Sequence, residues 1–150
     1  MGNKSKHSEN VHVEINISRI RRFAELMGNK YKQIKSIYLF GSVARREADE
    51  KSDIDLLILV GDDDLKFSDI LLYDVDYRNF DDWALDQLEG GVNPFICTAE
   101  ELVQDFDTLV GKILLEGIKL YGKNIKGLQK RVERKWKDEQ SDLLDLVRSL

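Results

Sequence analysis

Asp53-Ile54-Asp55 opens the apolar run Leu56-Leu57-Ile58-Leu59-Val60, and this stretch restricts the possible folds more than any other. An apolar run of this length, ended by Gly61 and the acidic residues 62–64, reads as a strand over 54–60. Side chains two apart on a strand share a side, so Asp53 and Asp55 project together while Ile54 and Leu56 turn toward the core. Two neighbouring carboxylates repel each other, and both ionise cheaply only with a cation between them. Magnesium suits such a pair, because it takes hard oxygen ligands and binds through one or two carboxylates plus substrate phosphates.

The strand before it gives the pair a partner. Residues 34–40 alternate, with Ile37 and Leu39 on one side and Tyr38 and Phe40 on the other, and they end at Gly41-Ser42. Ten residues separate Ser42 from Asp53, enough for a short helix over 43–47 opened by Ser42 and a polar loop over 49–51. Glycine lets a backbone come close to a phosphate, and amides after Ser42 would point outward at a helix start. The Ser42 hydroxyl adds a hydrogen bond, and Arg45 or Arg46 can neutralise triphosphate charge. A third acid lies further on. Residues 71–80 alternate as a strand, with Tyr73, Val75 and Tyr77 on one face and Asp74, Asp76 and Arg78 on the other. Asp74 and Asp76 both qualify as third carboxylate; Asp76, deeper in the alternating run, is preferred. Two ions about 3.5–4 Å apart held by three such acids would stabilise the attacking and leaving oxygens of phosphoryl chemistry. An isolated Asp-x-Asp or Gly-Ser is common, but the joint pattern on two successive strands is specific.

The remaining elements make a small domain. A helix is expected over 17–31, weakened by Gly28-Asn29, and another over 82–88, capped by Asp81 and stopped by Gly90-Gly91. Residues 92–98 form a fourth strand, which Pro94 places at an edge. Thr98 and Glu101 have capping-box spacing for a helix running to Tyr121 and ended by Gly122, with an inward stripe of Leu102, Phe106, Val110, Ile113, Leu114 and Gly117. A last helix over 128–150 carries Leu128, Val132, Trp136, Leu143, Val147 and Leu150 at helical spacing; it can dock on its own core, a second copy or a partner. The order α-β-β-β-α-β-α-α gives an α+β or mixed α/β class with helices on a small sheet. The expected division is a flexible leader over 1–12, a domain over 13–122 and a helical extension over 123–150.

Net charge of −5 argues against a general nucleic-acid binder, and the lack of a long apolar run against a membrane span. Cys97, the one cysteine, sits in an apolar run as a small buried filler, and a chain without a possible internal disulfide fits a reducing cytoplasm. His7 and His12 lie in the leader and read as solvated; Trp83 and Trp136 read as packing residues, and Tyr121 as closing its helix against the core.

Gly41-Ser42, Ala44-Arg45 and Ser52-Asp53-Ile54-Asp55-Leu56 resemble the signature of the DNA polymerase β-like nucleotidyltransferase superfamily, in its minimal, antitoxin-type branch. Glu116-Gly117-x-x-Leu120-Tyr121 extends the likeness. The resemblance implies a small mixed sheet of about four strands with helices on one face, magnesium, and an NTP donor, with ATP first. It implies that Asp53 and Asp55 bind metal, that Gly41 and Ser42 hold phosphate, and that a third acid lies on the following strand. It also implies a separate HEPN-type toxin whose tyrosine receives AMP. The family often has glycine after the arginine, where this chain has Arg46. The short chain suggests that the acceptor, or part of its binding surface, comes from another molecule. Other readings are a transferase for a small-molecule hydroxyl, such as an antibiotic's, and a non-catalytic binding protein that keeps the fold.

Overall fold

The computed structural model describes residues 17–49, 51–61, 69, 71 and 91–150. Within them the order is α1 (Ile17–Lys30), β1 (Ile34–Phe40), α2 (Gly41–Ala44), β2 (Ile54–Val60), β3 (Val92–Thr98), α3 (Ala99–Asp105), α4 (Asp107–Glu116), β4 (Ile118–Gly122) and α5 (Lys126–Ser149). The strands form one mixed sheet in the order β3-β2-β1-β4, antiparallel at β2-β1 and β1-β4 and parallel at β3-β2. Of the strand expected over 71–80 only Leu71 is described, and it is helical rather than extended; residues 72–80 and the expected helix over 82–88 lie outside the described residues, as do the leader, both histidines and Trp83.

The expected four-stranded α+β sheet is present, and its cover is wider than one face. Residues of both parities along β1 and β2 are buried, so the sheet needs helices on both sides. Ile37, Leu39, Ile54, Leu56, Ile58 and Val60 pack with Ile20, Ala24 and Met27 of α1 and with Leu71. Tyr38, Leu57 and Leu59 pack on the other side with Leu102 and Val103 of α3, Val110 and Ile113 of α4, and Val132 of α5. Cys97 fills space there as expected, and burial pushes its thiol up to about 12, which leaves it protonated and inert near neutral pH. Pro94 lies on β3, the outer strand of the described sheet beside β2, in keeping with its missing N–H.

Thr98 caps α3 as its spacing predicted, with its side chain accepting from the Glu101 amide at 3.1 Å and the Glu101 carboxylate accepting from the Thr98 amide at 3.2 Å. The single helix expected to run on to Tyr121 is instead two helices and a strand. Phe106 breaks the first turn of that run at φ −133°, ψ 38°, where its ring stands edge-on to Phe95 at 4.8 Å. Gly117 breaks it again in extended conformation, a place suited to glycine because a Cβ there would come within 2.4 Å of the Ile113 carbonyl oxygen. Ile118–Gly122 then completes the free edge of β1, pairing Ile118 with Leu39 and Lys119 with Tyr38. An unpaired strand edge is costly, and pairing it outweighs one more helical turn.

The first half of α5 is tied to the domain. The Tyr38 hydroxyl accepts from the Ile125 amide at 3.1 Å, and Asp107 accepts from the Trp136 indole at 2.5 Å and from Lys135 at 3.2 Å. Of the expected apolar stripe, Val132 is buried and Leu128 partly so, whereas Trp136, Leu143, Val147 and Leu150 are exposed. Among the described residues no helix is long and apolar enough to cross a membrane.

Gly28 does not end α1. The helix continues to Lys30, and the glycine makes room for the Tyr121 ring, which a Cβ would meet at 2.3–2.5 Å. Tyr121 therefore closes a strand against α1 rather than a helix against the core. Gly28→Ala is expected to destabilise the fold by about 1–3 kcal/mol, although alanine is the better helix former. Chemical denaturation should show that loss, and Tyr121→Leu should reduce it; a gain in stability from Gly28→Ala alone would refute the steric account.

Candidate functional site

The site is built where β1 ends beside the start of β2. Phe40 is extended at φ −140°, and Gly41 then turns the chain at φ +75°, a conformation that glycine adopts without strain. The Gly41 carbonyl accepts from the Arg45 amide at 3.1 Å, that of Ser42 from the Glu47 amide at 2.9 Å, and that of Val43 from the Arg46 amide at 3.1 Å. The short helix thus starts at Gly41 and ends at Ala44, and Ser42 lies within its first turn instead of opening it. The helix expected over 43–47 starts two residues earlier, at Gly41, where the left-handed glycine begins the turn, and stops three residues earlier, at Ala44.

Asp55 is the second residue of β2, opposite Phe40 on one neighbour and Asn93 on the other. Its Oδ1 accepts from Asn93 Nδ2 at 3.0 Å. Its Oδ2 stands 2.1 Å from where a Cβ on Gly41 would be. Asp53 lies one residue before the strand and is exposed; Asp55 is half-buried. The loop leading in is fixed by Asp49, whose carboxylate accepts from the Lys51 amide at 2.9 Å and the Ser52 hydroxyl at 3.1 Å.

Burial raises the Asp55 carboxyl above the ordinary aspartate range, and the neighbouring Asp53 charge adds to that rise. The Asn93 hydrogen bond and the Lys112 and Arg45 charges act the other way without cancelling it. An ionised Asp55 is therefore short of positive charge, and its oxygens together with those of Asp53 make a hard donor set of the kind a divalent cation takes.

The two arginines separate. Arg45 is paired with Glu116 at 2.8 Å and with Glu47 at 2.9 Å, and its charge reaches Asp55. Arg46 is exposed and sits at φ +61°, the left-handed conformation in which glycine would be unstrained. The Gly41 amide donates to Glu116 Oε1 at 3.3 Å. Asp74 and Asp76 lie outside the described residues. Asn93, Lys112 and Glu116 complete the surroundings. Asn93 and Lys112 carry no signal in the sequence, and Glu116 only its place in the closing segment of the family resemblance.

Residues 25–92 match the polymerase beta nucleotidyltransferase family. Two curated proteins of Methanocaldococcus jannaschii are similar to parts of the chain. "Putative protein adenylyltransferase MJ0128" is 51% identical over 39 residues, which is 26% of this chain and 39% of that protein. "Putative protein adenylyltransferase MJ0604" is 49% identical over 49 residues, 32% of this chain and 48% of that one. The matches thus span less than half the length of either relative. A toxin–antitoxin crystal structure with AMP-PNP contains a similar chain, with a TM-score of 0.54 and 17% identity over 85% of this chain and 94% of that one. A chain of the toxin–antitoxin pair MntA-HepT aligns with a TM-score of 0.50 and 15% identity over 87% and 97%. At such identities the structural likeness establishes the fold.

The raised Asp55 carboxyl has a consequence for stability. The folded protein holds that proton more tightly than the unfolded chain, so ionisation costs stability once pH passes the ordinary aspartate value of about 4. In metal-free buffer near neutral pH, Asp55→Asn should melt at a higher temperature than wild type. The gap should close as pH falls below about 4, where both states of Asp55 are protonated. Thermal melts across pH check this, and an Asn variant less stable than wild type at neutral pH would contradict it.

Proposed function

We propose, with residues 25–92 as a match to the polymerase beta nucleotidyltransferase family, that this protein transfers a nucleoside monophosphate from an NTP to an acceptor hydroxyl. The observation that carries the reading is the Asp53–Asp55 pair set against the side-chain-free Cα of Gly41. The donor oxygens fit magnesium, and we assign Asp53 and Asp55 as two of its protein ligands, with Asp76, or alternatively Asp74, as the third carboxylate. Bound there, magnesium neutralises phosphate charge and makes the α-phosphorus more electrophilic.

The chain's own residues do the rest by position and charge. Gly41 and Ser42 form the turn on which the phosphates rest. Arg45 and Lys112 supply positive charge beside Asp55 for the β- and γ-phosphates. In the reaction the acceptor oxygen bonds to the α-phosphorus on the side opposite the leaving group. The bond to the β-phosphate bridging oxygen breaks, and pyrophosphate departs. The acceptor proton passes to the third carboxylate and then to water.

ATP is the favoured donor and a protein hydroxyl the favoured acceptor. The curated relatives bear the name of protein adenylyltransferases, and a solved neighbour is a toxin–antitoxin with AMP-PNP. These names favour an antitoxin role; that the toxin is a separate protein of the HEPN type follows from the family resemblance of the motif, and a cytoplasmic setting from the single cysteine. The exposed stripe of α5 is the surface we assign to assembly with that partner or a second copy.

Incubation with magnesium and NTPs labelled at the α-phosphate, in a cell lysate, tests the reading. One protein band should take label, from ATP most strongly. The Asp53→Asn/Asp55→Asn variant should lower the rate at least about a thousandfold, given the several kcal/mol a catalytic metal supplies. Equal labelling by wild type and variant, or none by either, would remove the enzymatic reading.

A further inference from the structure

Glu116 is the last residue of α4, where the helix dipole disfavours a carboxylate and the last turn carries no basic residue. Its side chain is nevertheless only 15% exposed and touches three groups of the candidate site. It accepts from the Gly41 amide at 3.3 Å and from Arg45 Nη1 at 2.8 Å, and it lies 3.9 Å from Lys112 Nζ. The Arg45 hydrogen bond holds its carboxyl below the usual glutamate range, so it is charged at neutral pH.

The other partner of Arg45, Glu47, is 65% exposed, and such a surface pair orients a side chain weakly. Glu116 is the better-shielded carboxylate and the one that also accepts from a backbone amide, that of Gly41, at the corner between α4 and β4. Among the described residues these two pairs engage Nε and Nη1 of the guanidinium and leave Nη2 for an incoming anion. The charges of Arg45 and Lys112 both reach Asp55, so the cluster borders the metal-facing carboxylate.

We infer that Glu116 is a positioning residue for the nucleotide. It clamps the Arg45 guanidinium and the Gly41 amide in one arrangement, from which Arg45 and Lys112 meet the β- and γ-phosphates of the donor. The inference rests on the nucleotidyl-transfer reading and adds to it a residue that contacts neither metal nor reacting atoms. A long arginine already ordered before binding loses less freedom when the nucleotide arrives. Removing Glu116 should therefore act on nucleotide affinity more than on the chemical step.

The test compares wild type, Glu116→Gln, Arg45→Ala and the double variant, by binding of a fluorescent ATP analogue and by KM and kcat for ATP. Glutamine keeps an acceptor for the Gly41 amide and loses the ion pair. Glu116→Gln should weaken binding and raise KM about tenfold, with kcat within about twofold of wild type. Added to Arg45→Ala it should change nothing further, because the two act as a unit. Unchanged affinity in Glu116→Gln, or a full additional loss in the double variant, overturns the inference. If Glu116→Gln does not fold, Glu116→Asp carries the comparison: an intermediate KM supports the clamp and a wild-type KM overturns it. Loss of transfer in Asp55→Asn beside unchanged Glu116→Gln removes the clamp and leaves the transferase; a wild type that neither binds nor transfers removes both.

Discussion

The Asp55 carboxylate and the Gly41 Cα occupy space that admits no side chain between them. Oδ2 stands where any Cβ at position 41 would be, and the glycine turns at φ +75° to leave that room. One close approach thus joins the end of β1 to the start of β2 and puts a charged oxygen beside a backbone turn. Asn93 on the parallel neighbour holds the other oxygen, so the carboxylate sits between a hydrogen bond from β3 and the turn that follows β1. This placement leaves Asp55 half-buried next to Asp53, which is why its charged form is under-satisfied.

Holding that geometry falls to the sheet. Strands β1 and β2 are buried on both faces, with α1 over one and α3, α4 and α5 over the other. A two-sided core gives the strand ends little freedom to drift, as the proposed phosphate and metal site would require. The α4–β4 corner closes the far side of the Gly41 turn and brings Glu116 to Arg45. Structural and functional demands thus meet at one corner: the helix end that leads into the strand completing β1 carries the carboxylate that pairs with Arg45.

Strands β1, β2 and β3 were legible to the residue, because alternation and apolar runs ended by glycine or acid mark strands locally. The Thr98–Glu101 capping box was equally local. β4 was not, since Ile118 to Tyr121 also suits a helix and only the open edge of β1 decides the matter. Within the site, Gly41, Asp53 and Asp55 announced themselves by spacing. The choice between Arg45 and Arg46 needed three dimensions: both are exposed, but Glu116, distant in sequence, pairs with Arg45, and Arg46 takes a left-handed backbone. Asn93 and Lys112 were invisible because their roles come from register and helix placement, which no short motif encodes. Asp74 and Asp76 share one parity of their alternating run, and the sequence alone does not part them.

In the proposed transferase, Asp53 and Asp55 hold a divalent cation against a triphosphate resting on the Gly41-Ser42 turn. A crystal grown with manganese and a non-hydrolysable ATP analogue tests it directly, since manganese scatters anomalously. An anomalous peak is expected within about 2.0–2.3 Å of oxygens from both aspartates, with the phosphates over the turn. A peak elsewhere, or phosphates bound away from Gly41 with Asp55 facing no ion, would contradict it.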